Sequence, residues 1–339
     1  MSLAELRVRA AGLAWVQDLG RPGHGHLGIA ENGAADAWAS RTASILAGNP
    51  ASAALIEITG SELTVQSDTD LLLAVTGAAP VVLVDSATQP TWETLVVPGG
   101  RTITVPTPDR GLRSYLAVNG HLDVPPILGS VAPDRLLGIG RMLHSGDTLR
   151  LQTRFTGLHH PYSDIPLFRM GAVPDPITAP LIVESTRGPD ADQFPEHLDG
   201  ALPDEYEVSP QSDAIGLRLL GPAPRRASEH EILSRGVPVG AIQVPPAGGL
   251  LLLLRGRLVT AGYPVIAVAT LDSIDRLGQA RPGERLRIHL VDAEQARQAH
   301  RRRHAELESL AARVRTAFAA AGLKPLIEPQ PSGKDDVHA

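Results

Sequence analysis

Short runs of Val, Leu, Ile and Thr recur through the first half of the chain, each closed by Gly, Pro, Asp or Asn. Repetition of this kind, at a spacing of roughly ten residues, predicts an all-β sandwich or barrel. The clearest runs are Leu63 to Val65, Leu71 to Val75, Val81 to Val84, Thr94 to Val97, Arg101 to Val105 and Ser114 to Val118. Asn119-Gly120 follows the last of these and tolerates positive φ, which marks a hairpin turn. His144 to Asp147 then reads as a turn before a strand at Thr148 to Leu151. One stretch breaks the rhythm: between Gly33 and Gly48, Trp38, Thr42, Ile45 and Leu46 fall on one helical face. Asn32 or Gly33 is expected to cap this helix, with Asp36 in its first turn and Gly48-Asn49-Pro50 ending it. Such a helix would plug or cover the sheet.

Prolines without periodicity fill residues 156–180 and predict a linker. The β rhythm then resumes at Leu181 to Glu184, Glu205 to Ser209, Leu217 to Leu220, Ala241 to Val244, Leu250 to Leu254, Tyr263 to Thr270 and Arg285 to Leu290. The expected domains are therefore a β domain over 1–155, the linker, and a β-barrel over 181–292. A helix over 293–322 and a disordered tail over 323–339 complete the division. On that helix Leu307, Leu310, Ala311, Val314 and Phe318 share a face, and Gly322 is the stop. The run from His300 to His304 reads as a solvated face supported by i,i+4 pairs, Arg302 with Glu306 and His304 with Glu308.

Composition narrows the function classes. The 339 residues carry a net charge of −6, with 43% hydrophobic and 20% charged residues, as in a soluble globular protein that binds neither nucleic acid nor an anionic membrane. Cysteine is absent, so disulfides and thiol nucleophiles are excluded. The only lysines are Lys324 and Lys334. A P-loop, a Schiff-base lysine and an attached biotin are therefore excluded from the folded body. No signal peptide or membrane-spanning run is evident, and a cytoplasmic protein is expected.

Candidate chemistry lies where amides and carboxylates adjoin glycines, because backbone N–H groups can approach a ligand there. Four such stretches occur: Val16 to Gly23 with Gln17 and Asp18; Gly28 to Asp36 with Asn32, Gly33 and Asp36; Ser209 to Gly216 with Gln211, Ser212 and Asp213; and Gly236 to Pro246 with Gln243, joined by Thr260 to Pro264 with Tyr263. Each also has a plain structural reading, in which Asp18, Asp36 and Asp213 cap turns or helix starts and Gln211 and Gln243 bond nearby backbone. His24-Gly25-His26 and His159-His160 lack metal-site spacing, so no metal is expected.

Taken in order, VQDLGRPGHGHLGIAENGAAD, LAVTGA, SYLAVNGHLDVPPILGS, VSPQSDAIGLRLLGP, GVPVGAIQVPP and AGYPVIA resemble the KipA family. That family comprises the C-type subunit of 5-oxoprolinase, also called allophanate hydrolase subunit 2, and it corresponds to part of the carboxyltransferase domain of urea carboxylase. The resemblance implies a mainly β fold of two cyclophilin-like barrel subdomains with few helices. It implies a hetero-oligomer, with a dimer of heterodimers as one arrangement, formed with the KipI-like B-type and the A-type subunits of 5-oxoprolinase. The activity it implies is ATP-dependent opening of the lactam of 5-oxoproline to glutamate, a hydrolase reaction on a cyclic amide, with ATP a cofactor of the whole complex.

In that setting Asp213 would receive or orient the amide N–H, with Ser212 beside it. Gln211, Gln243 and backbone N–H groups would stabilise charge on the carbonyl oxygen. Gln17, Asp18, Asn32, Gly33, Asp36, Ser209 and Tyr263 would contact substrate. Two further readings remain open: a regulatory protein that antagonises a KipI-type kinase inhibitor, and half of a biotin-dependent carboxyltransferase. The family's usual Arg after Gln-Ser-Asp is Ala214 here, and its usual cation after Gly-Tyr-Pro is Val265. Arg218, Arg255 and Arg257 are the candidates to replace them.

Overall fold

A computed structural model describes residues 2–157, 169–194, 202, 205–227 and 232–323. The expected tail beyond Leu323, His159, His160 and part of the expected linker lie outside these residues. The architecture is mainly β, with a C-terminal helix and one closed seven-stranded barrel.

The N-terminal half is built from two antiparallel sheets. Strands Ser2–Ala11, Leu63–Gln66, Val82–Val84, Ala87–Gln89, Thr102–Val105, His121–Leu122 and Thr148–Thr153 form one, and Ala14–Gln17, Leu55–Thr59, Leu71–Gly77, Thr94–Val97 and Arg113–Val118 the other. Alternate residues of both, among them Leu6, Val8, Val65, Ile103, Leu151, Val16, Ile58, Leu73, Val75 and Leu116, meet in a common core. Strand Ser2–Ala11 escapes the spacing rule, although Ala4, Leu6 and Val8 are buried between charged neighbours. Its ladder partner Thr148–Thr153 lies at the far end of the domain.

The run Leu71 to Val75 is apolar at every position because both of its faces are covered. Leu73 and Val75 point between the sheets, while Leu72 and Ala74 point to the helices. Helix α1, Ala37–Leu46, covers that second side. It begins later than the sequence predicts. Asn32 and Gly33 have φ of 55° and 90°, outside the helical range, and a Cβ on Gly33 would sit 2.5 Å from the Leu19 carbonyl carbon. The N-cap is Asp36, whose Oδ1 accepts the Ala39 N–H at 2.9 Å.

The described end of the expected linker is docked rather than free. Thr94 N–H donates to the Met170 carbonyl and Ala172 N–H to the Trp92 carbonyl. Beyond it the barrel runs in the order Leu181–Arg187, Val265–Ala269, Ala241–Gln243, Leu250–Leu253, Gly216–Leu220, Tyr206–Val208 and Arg285–Leu290. Parallel pairing of the first and last strands closes it. Val183, Leu217, Leu219, Ile242, Leu250, Leu252, Ile266 and Leu286 fill its interior. Pro264 interrupts the strand expected from Tyr263, and Thr260–Ala261 instead pairs with Arg235–Gly236 as a separate ribbon.

Helix α2, Leu271–Leu277, is capped by Thr270 Oγ1 accepting the Ser273 N–H. Helix α3, Ala293–Ala320, starts in an Asp292/Gln295 capping box. Its Leu307, Leu310, Val314 and Phe318 pack on Ile45 and Leu46 of α1 and on Leu72, Ala74 and Phe155. The C-terminal helix is thus part of the N-terminal core. The expected solvated run beside it is divided: His304 and Glu308 pair outside at 3.3 Å, whereas Arg303 turns inward. Its guanidinium lies 4.2 Å from the centre of the Trp38 ring and 2.7 Å from Asp175.

Candidate functional site

The segment from Asn32 to Ala37 lies at the junction of the sandwich and the barrel, and its backbone amides are distributed among five partners. Asn32 N–H donates to the Arg255 carbonyl and Ala34 N–H to the Asp18 carbonyl. Ala35 N–H donates to Glu57, Asp36 N–H to the Tyr115 hydroxyl and Ala37 N–H to Asp275. Asn32 Nδ2 donates to Asp134 Oδ2 at 2.8 Å. Asp18 accepts from Gly20 N–H, Ser130 Oγ and Val131 N–H, and Gln17 Oε1 accepts from the Asp18 N–H. Asn32 and Asp18 thereby tie their loops to the Ser130–Asp134 segment, while Gln17 bonds its own neighbour.

Asp36 is buried and lies between the two halves. Its Oδ2 accepts from Gln279 Nε2 at 2.8 Å. Burial, and then the nearby carboxylate of Asp275, push its pKa from 3.8 up to about 7. Asp275 is itself paired with Arg255 at 2.9 Å. Burial also raises the Tyr115 hydroxyl and lowers the Arg41 guanidinium at the same junction.

Ser209 to Gly216 forms the hairpin between two barrel strands. Asp213 Oδ1 accepts the N–H groups of Ile215 at 2.8 Å and Gly216 at 3.3 Å, Ser209 Oγ accepts the Gln211 N–H, and Ser212 Oγ bridges to Arg218. Asp213 and Gln211 are exposed. The hairpin nevertheless reaches the junction: Gly256 N–H donates to the Ala214 carbonyl and Leu254 N–H to the Ile215 carbonyl. Three stretches distant in sequence, around Asn32, Ala214 and Arg255, therefore converge.

Beside this convergence a cleft of about 670 Å³ opens on the outer wall of the barrel. Gln243, Leu251 and Leu253 of the barrel strands line it, together with Ser234, the Thr260–Pro264 segment of the ribbon and Ile215 of the hairpin. Gln243 is 1% exposed, and neither its Oε1 nor its Nε2 has a hydrogen-bond partner. Tyr263 is half-exposed in the same lining. Of the predicted contact residues, Gln243 and Tyr263 share the cleft, with the Asp213 hairpin adjoining it through Ile215. Asn32, Gly33 and Asp36 group at the junction, and Gln17 and Asp18 behind it.

The arginines separate by commitment. Arg255 is held by Asp275, and Arg218 is exposed. Arg257 is buried, donates Nε to the Val237 carbonyl and keeps Nη1 unpaired; burial lowers its pKa against the opposing pull of Glu31. Among the described residues, the arginine in the cleft lining is Arg226, fixed through Nε to Gln193 at 2.7 Å. Sequence reasoning misses Arg226, Asp275 and Gln279. A Thr270 cap followed by Ile274 and Leu277 is the available signal for the helix that carries Asp275. Arg226 and Gln279 lie in irregular backbone without periodicity. Among the described residues no three His, Cys, Asp or Glu side chains cluster as metal ligands, and no helix is long and apolar enough to cross a membrane.

The sequence profile of the family described as "Carboxyltransferase domain, subdomain A and B" matches residues 27–290, through the junction, the hairpin and the cleft. The chain belongs to this family. Similar carboxyltransferase-family proteins include the C-type subunit of 5-oxoprolinase from Escherichia coli, 34% identical over 91% of this chain and 97% of the relative. The protein of that name from Haemophilus influenzae is 28% identical over 88% and 94%. The crystal structure of TTHA0988 matches with a TM-score of 0.75 at 32% identity, over 85% of this chain and 56% of that one. Kluyveromyces lactis urea carboxylase has a TM-score of 0.75 at 22% identity, over 91% of this chain and 29% of that one. This last likeness concerns the fold of the carboxyltransferase family alone.

Proposed function

We propose that this chain is the C-type component of an ATP-dependent 5-oxoprolinase, which adds water across the lactam C–N bond of 5-oxoproline to give glutamate. The observation that carries the reading is the end-to-end match to the Escherichia coli 5-oxoprolinase component, over 97% of that protein. A cleft with a buried, unpaired amide supports it, because a small polar substrate needs few polar contacts placed on an apolar wall. An amide carbonyl is resonance-stabilised, and groups that hold charge developing on its oxygen favour water addition. Among the side chains that line the cleft, the Gln243 amide, the Arg226 guanidinium and the hydroxyls of Ser234, Thr260 and Tyr263 are the donors of this kind.

ATP belongs to the complex as a whole. With no lysine before residue 324, this chain has no P-loop to grip a triphosphate, and we assign nucleotide binding to another component. The partners in this reading are the KipI-like B-type and the A-type subunits of 5-oxoprolinase, in the cytoplasm. A second reading, carboxyl transfer from biotin carried on another polypeptide, is favoured by the family description itself.

Reconstitution with the two partner proteins tests the first reading. Glutamate release from 5-oxoproline that requires ATP and this chain is expected. A stable complex without turnover overturns it and leaves a regulatory role; carboxylation of urea in the presence of a biotinylated carrier selects the second reading.

A further inference from the structure

Asp190 lies behind the cleft, in the turn that follows barrel strand Leu181–Arg187, and is 5% exposed. Its carboxylate joins three parts of the cleft wall. Oδ2 accepts from Arg235 Nη2 of the ribbon and from the Val265 N–H at 2.8 Å, where the Tyr263–Pro264 lining enters the barrel. Oδ1 accepts from Gln193 Nε2 at 3.3 Å, and Gln193 Oε1 in turn accepts from Arg226 Nε at 2.7 Å. Backbone bonds fix both ends of this chain of contacts: Asp190 N–H donates to the Val265 carbonyl and Ala227 N–H to the Gln193 carbonyl. The order of donors and acceptors along it is forced. A carboxylate only accepts and a guanidinium only donates, so a glutamine amide between them satisfies both in a single orientation, its NH2 towards Asp190 and its oxygen towards Arg226. The bond uses Nε and leaves the two terminal nitrogens of Arg226 for the cleft that this side chain lines.

We propose that Asp190 is a positioning residue for Arg226: acting through the Gln193 amide, it fixes the guanidinium that the cleft presents to a ligand. The part of Arg226 in holding oxygen charge rests on the function proposed above; the forced hydrogen-bond order does not. A donor aimed before the ligand arrives needs no reorganisation during reaction, and an untethered arginine would lose rotamer freedom on binding. Reversing the Gln193 amide sets acceptor against acceptor at Asp190 and donor against donor at Arg226, and burial of Asp190 makes that conflict costly. Asp190→Asn breaks the relay in a defined way. Two donors, Arg235 and Val265, face the Oδ2 side, so the amide oxygen takes that side and the NH2 faces Gln193. The ribbon keeps its tie, and the conflict passes to Gln193 and Arg226.

Nitrogen-15 spectra of the full-length chain labelled at arginine, with kinetics of the reconstituted complex, test this. The Arg226 Nε–H signal is assigned by its loss in Arg226→Lys. In Asp190→Asn it is expected to exchange with water about tenfold faster than in wild type, the weight of one hydrogen bond. Gln193→Leu, which cuts the relay and spares the ties of Asp190 to Arg235 and Val265, is expected to do the same and serves if Asp190→Asn does not fold. Adding Gln193→Glu to Asp190→Asn restores the order of donors and acceptors, since the new carboxylate accepts from both sides. Exchange in that double variant is expected to return to within about threefold of wild type. In the complex, kcat for 5-oxoproline is expected to fall about tenfold in Asp190→Asn with KM little changed, and to recover in the double variant. Unchanged exchange in folded Asp190→Asn or Gln193→Leu overturns the inference, as does a double variant without recovery. Faster exchange with unchanged kcat also overturns the positioning role while the function stands. If the wild-type complex does not turn over 5-oxoproline, the function falls, and the Arg226 signal alone decides whether Asp190 fixes this side chain.

Discussion

Gln279, just after α2 of the barrel, donates Nε2 to Asp36 Oδ2 at 2.8 Å while its Oε1 accepts the N–H groups of Leu112 and Arg113 at 3.0 and 2.9 Å. With a further bond from Nε2 to the Arg113 carbonyl at 3.1 Å, one side chain of the C-terminal half thus serves four polar groups of the N-terminal half. Gln279→Leu would leave a buried carboxyl, two backbone amides and a backbone carbonyl without these partners. We expect a loss of about 2–4 kcal/mol, read as a lower urea midpoint with an unchanged m-value.

Asp36 makes stability depend on pH in an unusual direction. Its folded pKa of about 7 exceeds the ordinary 3.8, so between those values the folded protein binds more protons than the unfolded chain. Stability contributed by this group is therefore complete below 3.8 and lost as pH rises towards about 7. Unfolding free energies measured across that window should fall with pH for wild type and fall less steeply for Asp36→Asn. Identical slopes in the two proteins would remove the effect.

Gly256 lies where three loops meet. A Cβ there would stand 2.8 Å from the Ala214 carbonyl oxygen and 3.2 Å from Asn32 Oδ1, so Gly256→Ala must push the hairpin or the Asn32 loop away. A loss of about 1–3 kcal/mol is expected, together with weaker ligand binding at the neighbouring cleft. Gly236→Ala, with nothing within 4 Å of the added carbon, is the control and should fall within about 0.5 kcal/mol of wild type.

Asp213 can be separated from its turn. Asn in its place keeps an oxygen for the Ile215 and Gly216 N–H groups, and Ala does not. On the hydrogen bonds observed, Asp213→Ala should lose about 1 kcal/mol while Asp213→Asn keeps both stability and turnover in the reconstituted enzyme. Loss of turnover in a stable Asp213→Asn protein would instead assign the carboxylate a role in proton transfer.

Much of the fold is legible because β structure on a packed core leaves a periodic trace. Leu71 to Val75 is apolar throughout because sheet and helices cover both of its faces, and Asn119-Gly120 marks a turn. The start of α1 is misplaced by local reading because a capping residue is chosen by φ, ψ and long-range contact. The pressure that holds Gly33 at positive φ comes from Leu19, outside the few residues that a capping motif spans. Arg303 reads as solvated in sequence because its partners, Trp38 and Asp175, come from elsewhere in the chain.

The candidate site divides in the same way. Residue type and motif order pick out Gln243, Tyr263 and the Asp213 hairpin, yet the sequence does not distinguish a satisfied amide from an unsatisfied one. That distinction depends on which atoms surround the side chain, and only the tertiary structure places Gln243 among apolar neighbours beside the ribbon. By itself the sequence determined the β class, the absence of a P-loop or biotinylated lysine from the body, and the family. The tertiary structure decided that the C-terminal helix completes the N-terminal core, that Asp36 binds the barrel, and that Arg226 lines the cleft. Each of these depends on contacts between residues far apart in the chain, which closure of the barrel and docking of its helices bring together.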